Sequence, residues 1–77
     1  MLSETDIVVL AVDLPQYHLQ SGDVGTIVLV HERGGYEVEF ITLDSETVAV
    51  TSLEADQVRP IARREIAHVR AIANATP

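Results

Sequence analysis

The chain has 77 residues, of which 47% are hydrophobic and only 4% aromatic, and it carries a formal net charge of −7. A chain of this length forms one domain with a core that supplies roughly 3–5 kcal/mol of net stability. The absence of cysteine excludes disulfides, zinc–thiolate sites and thiol nucleophiles, and it favours a cytoplasmic location. The longest apolar run, from Ile7 to Val12, is far shorter than the roughly 20 residues of a membrane-spanning helix, so no membrane contact is predicted.

The first half of the chain predicts two strands joined by a long loop. Valine, isoleucine and leucine supply most of the apolar residues, and β-branched side chains favour strands. Residues 6–12 form the first predicted strand, and residues 24–31 form the second. Between them, Asp13 and Pro15 end the first strand, and a turn at residues 21–23 leads into the second.

The alternation of apolar and polar residues is clearest in the third predicted strand, residues 36–41, which follows a two-glycine turn. Because successive side chains of a strand point to opposite faces, its apolar residues belong to the core and its two glutamates to the outer face. The fourth strand is predicted over residues 47–51. The core residues predicted from these two strands are Tyr36, Val38, Phe40, Val48 and Val50.

A short helical turn at residues 53–56 leads to a closing strand over residues 57–61, in which Pro60 ends the pairing. The succession of strand, long loop, three-strand meander, helical turn and closing strand is that of an SH3-like barrel. We therefore predict a mostly β protein, with a five-stranded SH3-like small barrel over residues 1–61 and a C-terminal α-helix after it.

The C-terminal segment, residues 62–77, predicts an amphipathic helix over residues 62–73 and a frayed end over residues 74–77. A helix of about 12 residues is marginal in water by itself, so its apolar side needs a surface to cover. The first two strands offer one, because they are apolar on both faces. We expect the helix to cover them within one chain or across a homodimer. Its apolar stripe consists of Ala62, Ile66, Val69, Ile72 and Ala73.

Charge is unevenly distributed along the chain. Residues 1–56 hold eleven acidic residues and one basic residue, a net charge of −10, whereas residues 57–77 hold four arginines and one glutamate, a net charge of +3. An acidic body repels phosphate backbones and attracts basic partners, although the same charge also serves solubility. A basic protein partner is therefore predicted, and nucleic acid is not favoured.

Five segments form an ordered series along the chain: Asp6–Leu10, Asp13–Pro15, Gly22–Val28, Tyr36–Phe40 and Leu53–Pro60. In order and spacing they resemble the bacterial domain-of-unknown-function family 4926, over residues 6–60. The resemblance implies a small stand-alone protein with no assigned activity and no catalytic residues to carry over. Members of such families can lie beside toxin genes, so the resemblance also suggests an antitoxin or immunity-like role.

The segment from Gly22 to Thr26 is also similar to the KOW motif of ribosomal and transcription proteins, which often binds RNA. Its residues have structural explanations as well, since Gly22 permits a turn, Asp23 accepts hydrogen bonds of that turn, and Gly25 allows close backbone approach. RNA-binding modules need basic grooves or exposed aromatic rings, and this region is acidic. A KOW-like RNA-associated protein is therefore the alternative hypothesis.

No residue pattern points to catalysis, a metal or a cofactor. The three histidines lack the spacing of a metal site, and the serines lie in turn contexts rather than in a nucleophile elbow. Without a pocket, the two glutamates of the third strand form a solvated rim rather than an acid–base pair. We therefore predict that the protein is not an enzyme.

The features favour a non-catalytic protein–protein interaction module, either antitoxin or immunity-like or a small accessory subunit. Its acidic face and long loop would contact the partner, because large side chains with polar tips often anchor such contacts. In the competing interpretation, Leu14 and Leu19 fold the loop onto the barrel, and Tyr17 only covers the core edge. Self-association is predicted through the outer strand faces or the C-terminal helix. The candidate partner-binding residues are Tyr17, His18, Glu37, Glu39, Ile66, Val69 and Ile72.

Overall fold

The alternating apolar residues form one five-stranded antiparallel sheet in the computed structural model, which describes residues 2–72. The sheet order is β4-β3-β2-β1-β5, so the last strand lies beside the first and β4 forms the opposite edge. The prediction of a mostly β protein with five strands is confirmed. The strands are β1 (Ile7–Leu10), β2 (Val24–Val30), β3 (Tyr36–Ile41), β4 (Thr47–Leu53) and β5 (Val58–Pro60).

One face of the sheet carries the core, and the largest fully buried side chain in it is Phe40. Cross-strand pairing places Ile27 opposite Val38 on this face, and both are inaccessible to solvent. Two predicted core residues, Val38 and Phe40, are therefore confirmed, whereas Tyr36 and Val48 are only partly buried against the cluster. The buried cluster consists of Val8, Leu10, Leu14, Leu19, Ile27, Val38, Phe40, Leu53 and Val58.

The prediction that Val50 belongs to the core is wrong. In the pairing of β3 with β4, Ala49 lies opposite Phe40, and Val50 lies opposite Glu39. Directly opposed residues share a face, so Val50 belongs to the outer face, where it is 51% exposed. The error arises because residues 48–50 are all apolar, so a one-residue shift of register leaves their pattern equally plausible.

Gly25 is required by packing on the core face. A Cβ atom at this position would lie 2.7 Å from Val38 Cγ1 and 2.8 Å from a ring carbon of Phe40. Both distances are shorter than a van der Waals contact, so only glycine lets the Phe40 ring cross β2. The glycine of the KOW-like segment thus has a structural explanation in this fold.

The loop between β1 and β2 folds back onto the sheet. Leu14 and Leu19 are hydrogen-bonded through their backbones, with N–H to carbonyl distances of 2.9 and 3.1 Å, and both side chains join the core. Between them a 3-10 turn, Pro15–Tyr17, leaves the Tyr17 side chain 37% exposed. The two leucines therefore anchor the loop and present its tip at the surface.

The predicted C-terminal helix over residues 62–73 is not there. Within residues 2–72 the chain has no α-helix, and accordingly none long and apolar enough to cross a membrane. Residues 61–72 form neither helix nor strand and make a turn at residues 63 and 64, where Arg64 has a left-handed φ of 61°. A single left-handed residue interrupts a right-handed helix. Residue 73 and the predicted frayed end, residues 74–77, lie outside the described residues.

Replacing Phe40 by Ala is expected to lower the free energy of unfolding by about 3–5 kcal/mol, because the change leaves a cavity in a small core. The matched control is Val50→Ala, which removes an apolar side chain from the outer face of the neighbouring strand and should cost less than about 1 kcal/mol. Urea denaturation followed by circular dichroism measures both values. Equal losses in the two variants would show that the faces of β3 and β4 are assigned incorrectly.

Candidate protein-binding groove

The C-terminal tail, residues 61–72, is joined to the sheet by a forked ion pair. Arg70 donates from Nε to Asp23 Oδ1 at 2.8 Å and from Nη2 to Asp23 Oδ2 at 2.5 Å. The same Nη2 also donates to the carbonyl oxygen of His18 at 3.0 Å. Since Arg70 and Asp23 are 47 residues apart, this fork is a tertiary contact that fixes the far end of the tail beside the start of β2.

The turn before β2 holds the Asp23 carboxylate in position for Arg70. This carboxylate accepts the backbone N–H of Gln20 at 2.8 Å, while the carboxylate of Asp13 accepts the N–H of Ser21 at 2.9 Å. Partial burial by itself raises the pKa of Asp23, but the hydrogen bonds from Arg70 and Gln20 outweigh it and hold that pKa below its usual value. The Arg70 pKa is raised by the same hydrogen bonds, so the pair stays charged around neutral pH.

A second fork holds the near end of the tail. Arg59 on β5 donates from Nη1 and Nη2 to the two carboxylate oxygens of Glu65, at 2.9 and 2.6 Å. Glu65 also accepts the backbone N–H of Ala62 at 2.6 Å. These hydrogen bonds, with that of Arg59 the strongest, lower the pKa of Glu65 to about 2.

Between the two forks the tail crosses the outer face of the sheet and leaves a groove of about 1100 Å³. Cross-strand pairing places Ile7 opposite Thr26 and Val9 opposite Val24 on this face. The floor is therefore largely apolar, and the tail forms one wall. The apolar floor residues are Ile7, Val9, Val24 and Ile41, and the wall includes Ile66, Ala67, His68, Val69 and Ile72.

The groove carries negative charge that no cation neutralises within residues 2–72. Glu39 lies on the floor between Thr26 and Val50, and its carboxylate accepts a long hydrogen bond from Thr47 Oγ1 at 3.3 Å. Asp44 lies at the rim and accepts the hydroxyl of Thr42. The two arginines that line the groove are both engaged in forks. The groove therefore suits a ligand that combines apolar and cationic groups.

Four of the seven candidate partner-binding residues line this groove. They are Glu39, Ile66, Val69 and Ile72. Ile66 and Val69 are 93% and 70% exposed, so they contribute an apolar ridge on a non-helical tail and not the buried stripe of a helix. The structure places these side chains along the outer face of the sheet.

The other three candidates lie elsewhere. The Glu37 carboxylate accepts the Ser52 hydroxyl at 2.8 Å and lies 3.3 Å from Nε2 of His31, farther along the outer face. His18 lines a smaller cavity of about 380 Å³ and contacts Arg70 through its carbonyl. Tyr17 is at the exposed tip of the same loop. The predicted loop and the predicted acidic face therefore do not form one continuous site.

The two forks were not found from the sequence. Arg70 and Asp23 are too distant along the chain for a local pattern to connect them, and the helical spacing of the tail indicated a different structure. The separation of acidic body from basic tail was the available signal, because it favours contacts between the two parts. Within residues 2–72 no three His, Asp or Glu side chains come together as a metal site.

The sheet and its groove define a small acidic β protein with an open groove between one sheet face and the C-terminal tail. Residues 4–60 match the model of the family described as a domain of unknown function, DUF4926, and the chain belongs to that family. No curated protein and no solved structure matches the chain. The family match ends at residue 60, so the sheet floor of the groove lies inside the matched region and the tail lies outside it.

The pKa of Glu65 should measure about 2 in the intact protein, and it should return towards its ordinary value of 4.5 in Arg59→Gln. A lowered folded pKa contributes stability that is present above the unfolded pKa and lost as the pH falls through the folded one. Attachment of the tail should therefore weaken as the pH falls from about 4.5 towards about 2. Carboxyl ¹³C shifts measure the titration, with Arg63→Gln as the control that leaves the fork intact. Identical Glu65 titrations in the wild type and Arg59→Gln would contradict the fork.

Proposed function

We propose that the protein is a non-catalytic protein-interaction module whose groove binds an extended basic segment of a partner protein. The observation that carries this proposal is the combination of an apolar floor with the carboxylates of Glu39 and Asp44, neither of which is ion-paired within residues 2–72. An extended segment that alternates apolar and basic side chains would place its apolar side chains on the floor and its basic side chains beside these two carboxylates.

A protein ligand fits the groove better than a nucleic acid does. Phosphate backbones require free cations, whereas Arg59 and Arg70 are already engaged by carboxylates at the groove. The aromatic ring of Tyr36 is partly buried against the core, and Gly25 has a packing role. These contacts support protein binding over the KOW-like alternative.

The proposal includes a biological class and a location. An antitoxin or immunity-like protein, or a small accessory subunit, acts by binding and needs no catalytic residues, which agrees with a site built from apolar side chains and fixed carboxylates.

We propose a cytoplasmic location because the chain contains no cysteine, as is usual for proteins that do not depend on disulfides.

The test is a nuclear magnetic resonance titration of the ¹⁵N-labelled protein with a short peptide of alternating valine and arginine. Amide shifts are expected at the groove residues Ile7, Thr26 and Ile41. Removal of the floor charge in Glu39→Gln should weaken binding by about two- to fivefold, the usual contribution of one partly exposed ion pair. Glu46→Gln is the matched control, because Glu46 is an exposed acid outside the groove.

A peptide of alternating valine and glutamate controls for apolar binding alone. Equal affinity for the two peptides, or shifts confined to residues outside the groove, would refute the proposed function. Loss of affinity in Glu46→Gln equal to that in Glu39→Gln would show that net charge, and not this site, governs binding.

A further inference from the structure

We propose that the groove accepts the tail of a second copy of this chain, so that two copies form a reciprocal dimer. This inference rests on the proposed function, because it names one basic segment that the groove binds. In the dimer, the ridge formed by Ile66 and Val69 of each tail lies against the groove floor of the other copy.

The first observation is that both surfaces are apolar and exposed. Ile66 is 93% exposed and Val69 is 70% exposed, while Ile7 and Ile41 on the floor are 54% and 53% exposed. The tail is fastened at both ends by polar forks, and the space between it and the floor is open. Apart from Val9, which is only 6% exposed, the floor and the ridge are apolar surface that stays exposed in one chain, as surfaces that bind a partner do.

The second observation is charge complementarity between the two parts of the chain. The net charge is −10 over residues 1–56 and +3 over residues 57–77. Arg63 and Arg64 are exposed and make no ion pair within residues 2–72. Docking of a tail on the body of another copy brings these arginines towards Glu39 and Asp44, whereas docking of body on body would oppose like charges.

Symmetry makes the contact reciprocal. Under the proposed two-fold axis the tail of each copy lies in the groove of the other, so one operation fills both sites, whereas the same contact without that axis would extend to a third copy. The assembly closes at two copies, and each contributes one ridge and one floor. This arrangement covers the outer sheet face without the predicted helix.

The experiment is light scattering on the full chain during size-exclusion chromatography over a range of concentrations. We expect the mass to rise to twice the 8.4 kDa of one chain. The double variant Ile66→Ser/Val69→Ser should raise the dimer dissociation constant by at least about 100-fold, because two apolar side chains per copy, four in the dimer, lose their burial. Both residues are exposed in one chain, so the variant should keep the wild-type circular dichroism spectrum.

The matched control is Val28→Ser, which removes an exposed apolar side chain outside the groove and should remain a dimer. The valine–arginine peptide should compete with the tail and lower the mass of the wild type. A wild-type mass of one chain at millimolar concentration, or a dimer that persists in the double variant, would overturn the inference.

The outcomes separate this inference from the proposed function. A monomer that binds the valine–arginine peptide in the groove refutes the dimer and supports the interaction module. A dimer that dissociates in the double variant, while the wild-type chain diluted to the monomer binds no basic peptide, supports the tail contact and refutes a basic segment as the general ligand.

Discussion

A single small sheet with apolar residues on both faces is the constraint on which the structure depends. The core face is buried within the chain by strand side chains and by the two leucines of the long loop, Leu14 and Leu19. The outer face has no second layer of secondary structure within residues 2–72, and Ile7, Val24 and Ile41 remain about half exposed there. Exposed apolar surface is unfavourable in water. Burial of this face against a further segment, a second copy or a partner would therefore be favourable.

The Arg70–Asp23 fork connects that outer face to the rest of the fold. Asp23 closes the turn after the loop through the Gln20 N–H, and this turn follows directly on Leu19, which lies in the core. The same carboxylate holds Arg70 and thereby the far end of the tail. Asp23 thus connects the loop, the start of β2 and the C-terminal tail, which forms one wall of the groove.

The strands were predictable because their signals are local. The alternation of Val38 and Phe40 with two glutamates defines β3 and its core face, and the two-glycine turn before it is visible in the sequence. The face of Val50 was not predictable, because residues 48–50 are apolar at every position and only pairing with β3 decides between them. Register depends on contacts across the sheet and not on composition.

The tail was predicted incorrectly because a helical spacing of apolar residues does not by itself stabilise a short helix. Glu65 binds Arg59 six residues earlier, Arg64 takes a left-handed conformation, and Arg70 is held by Asp23 on the sheet. These contacts hold the tail in a non-helical conformation. The sequence nevertheless identified Glu39, Ile66 and Val69 as candidates, because charge and apolar character are properties of the residues themselves. The exposure of the two apolar side chains was not predicted, since the expected helix would have buried them.

The most direct test of the tail's position is paramagnetic relaxation enhancement from a spin label on Val69→Cys, which is feasible because the chain has no other cysteine. With the tail extended across the outer face, we expect selective broadening of the amides of Ile7, Thr26 and Ile41, which is reduced when Arg70→Gln releases the far end. Absence of broadening at these three amides would contradict the placement of the tail over the outer face.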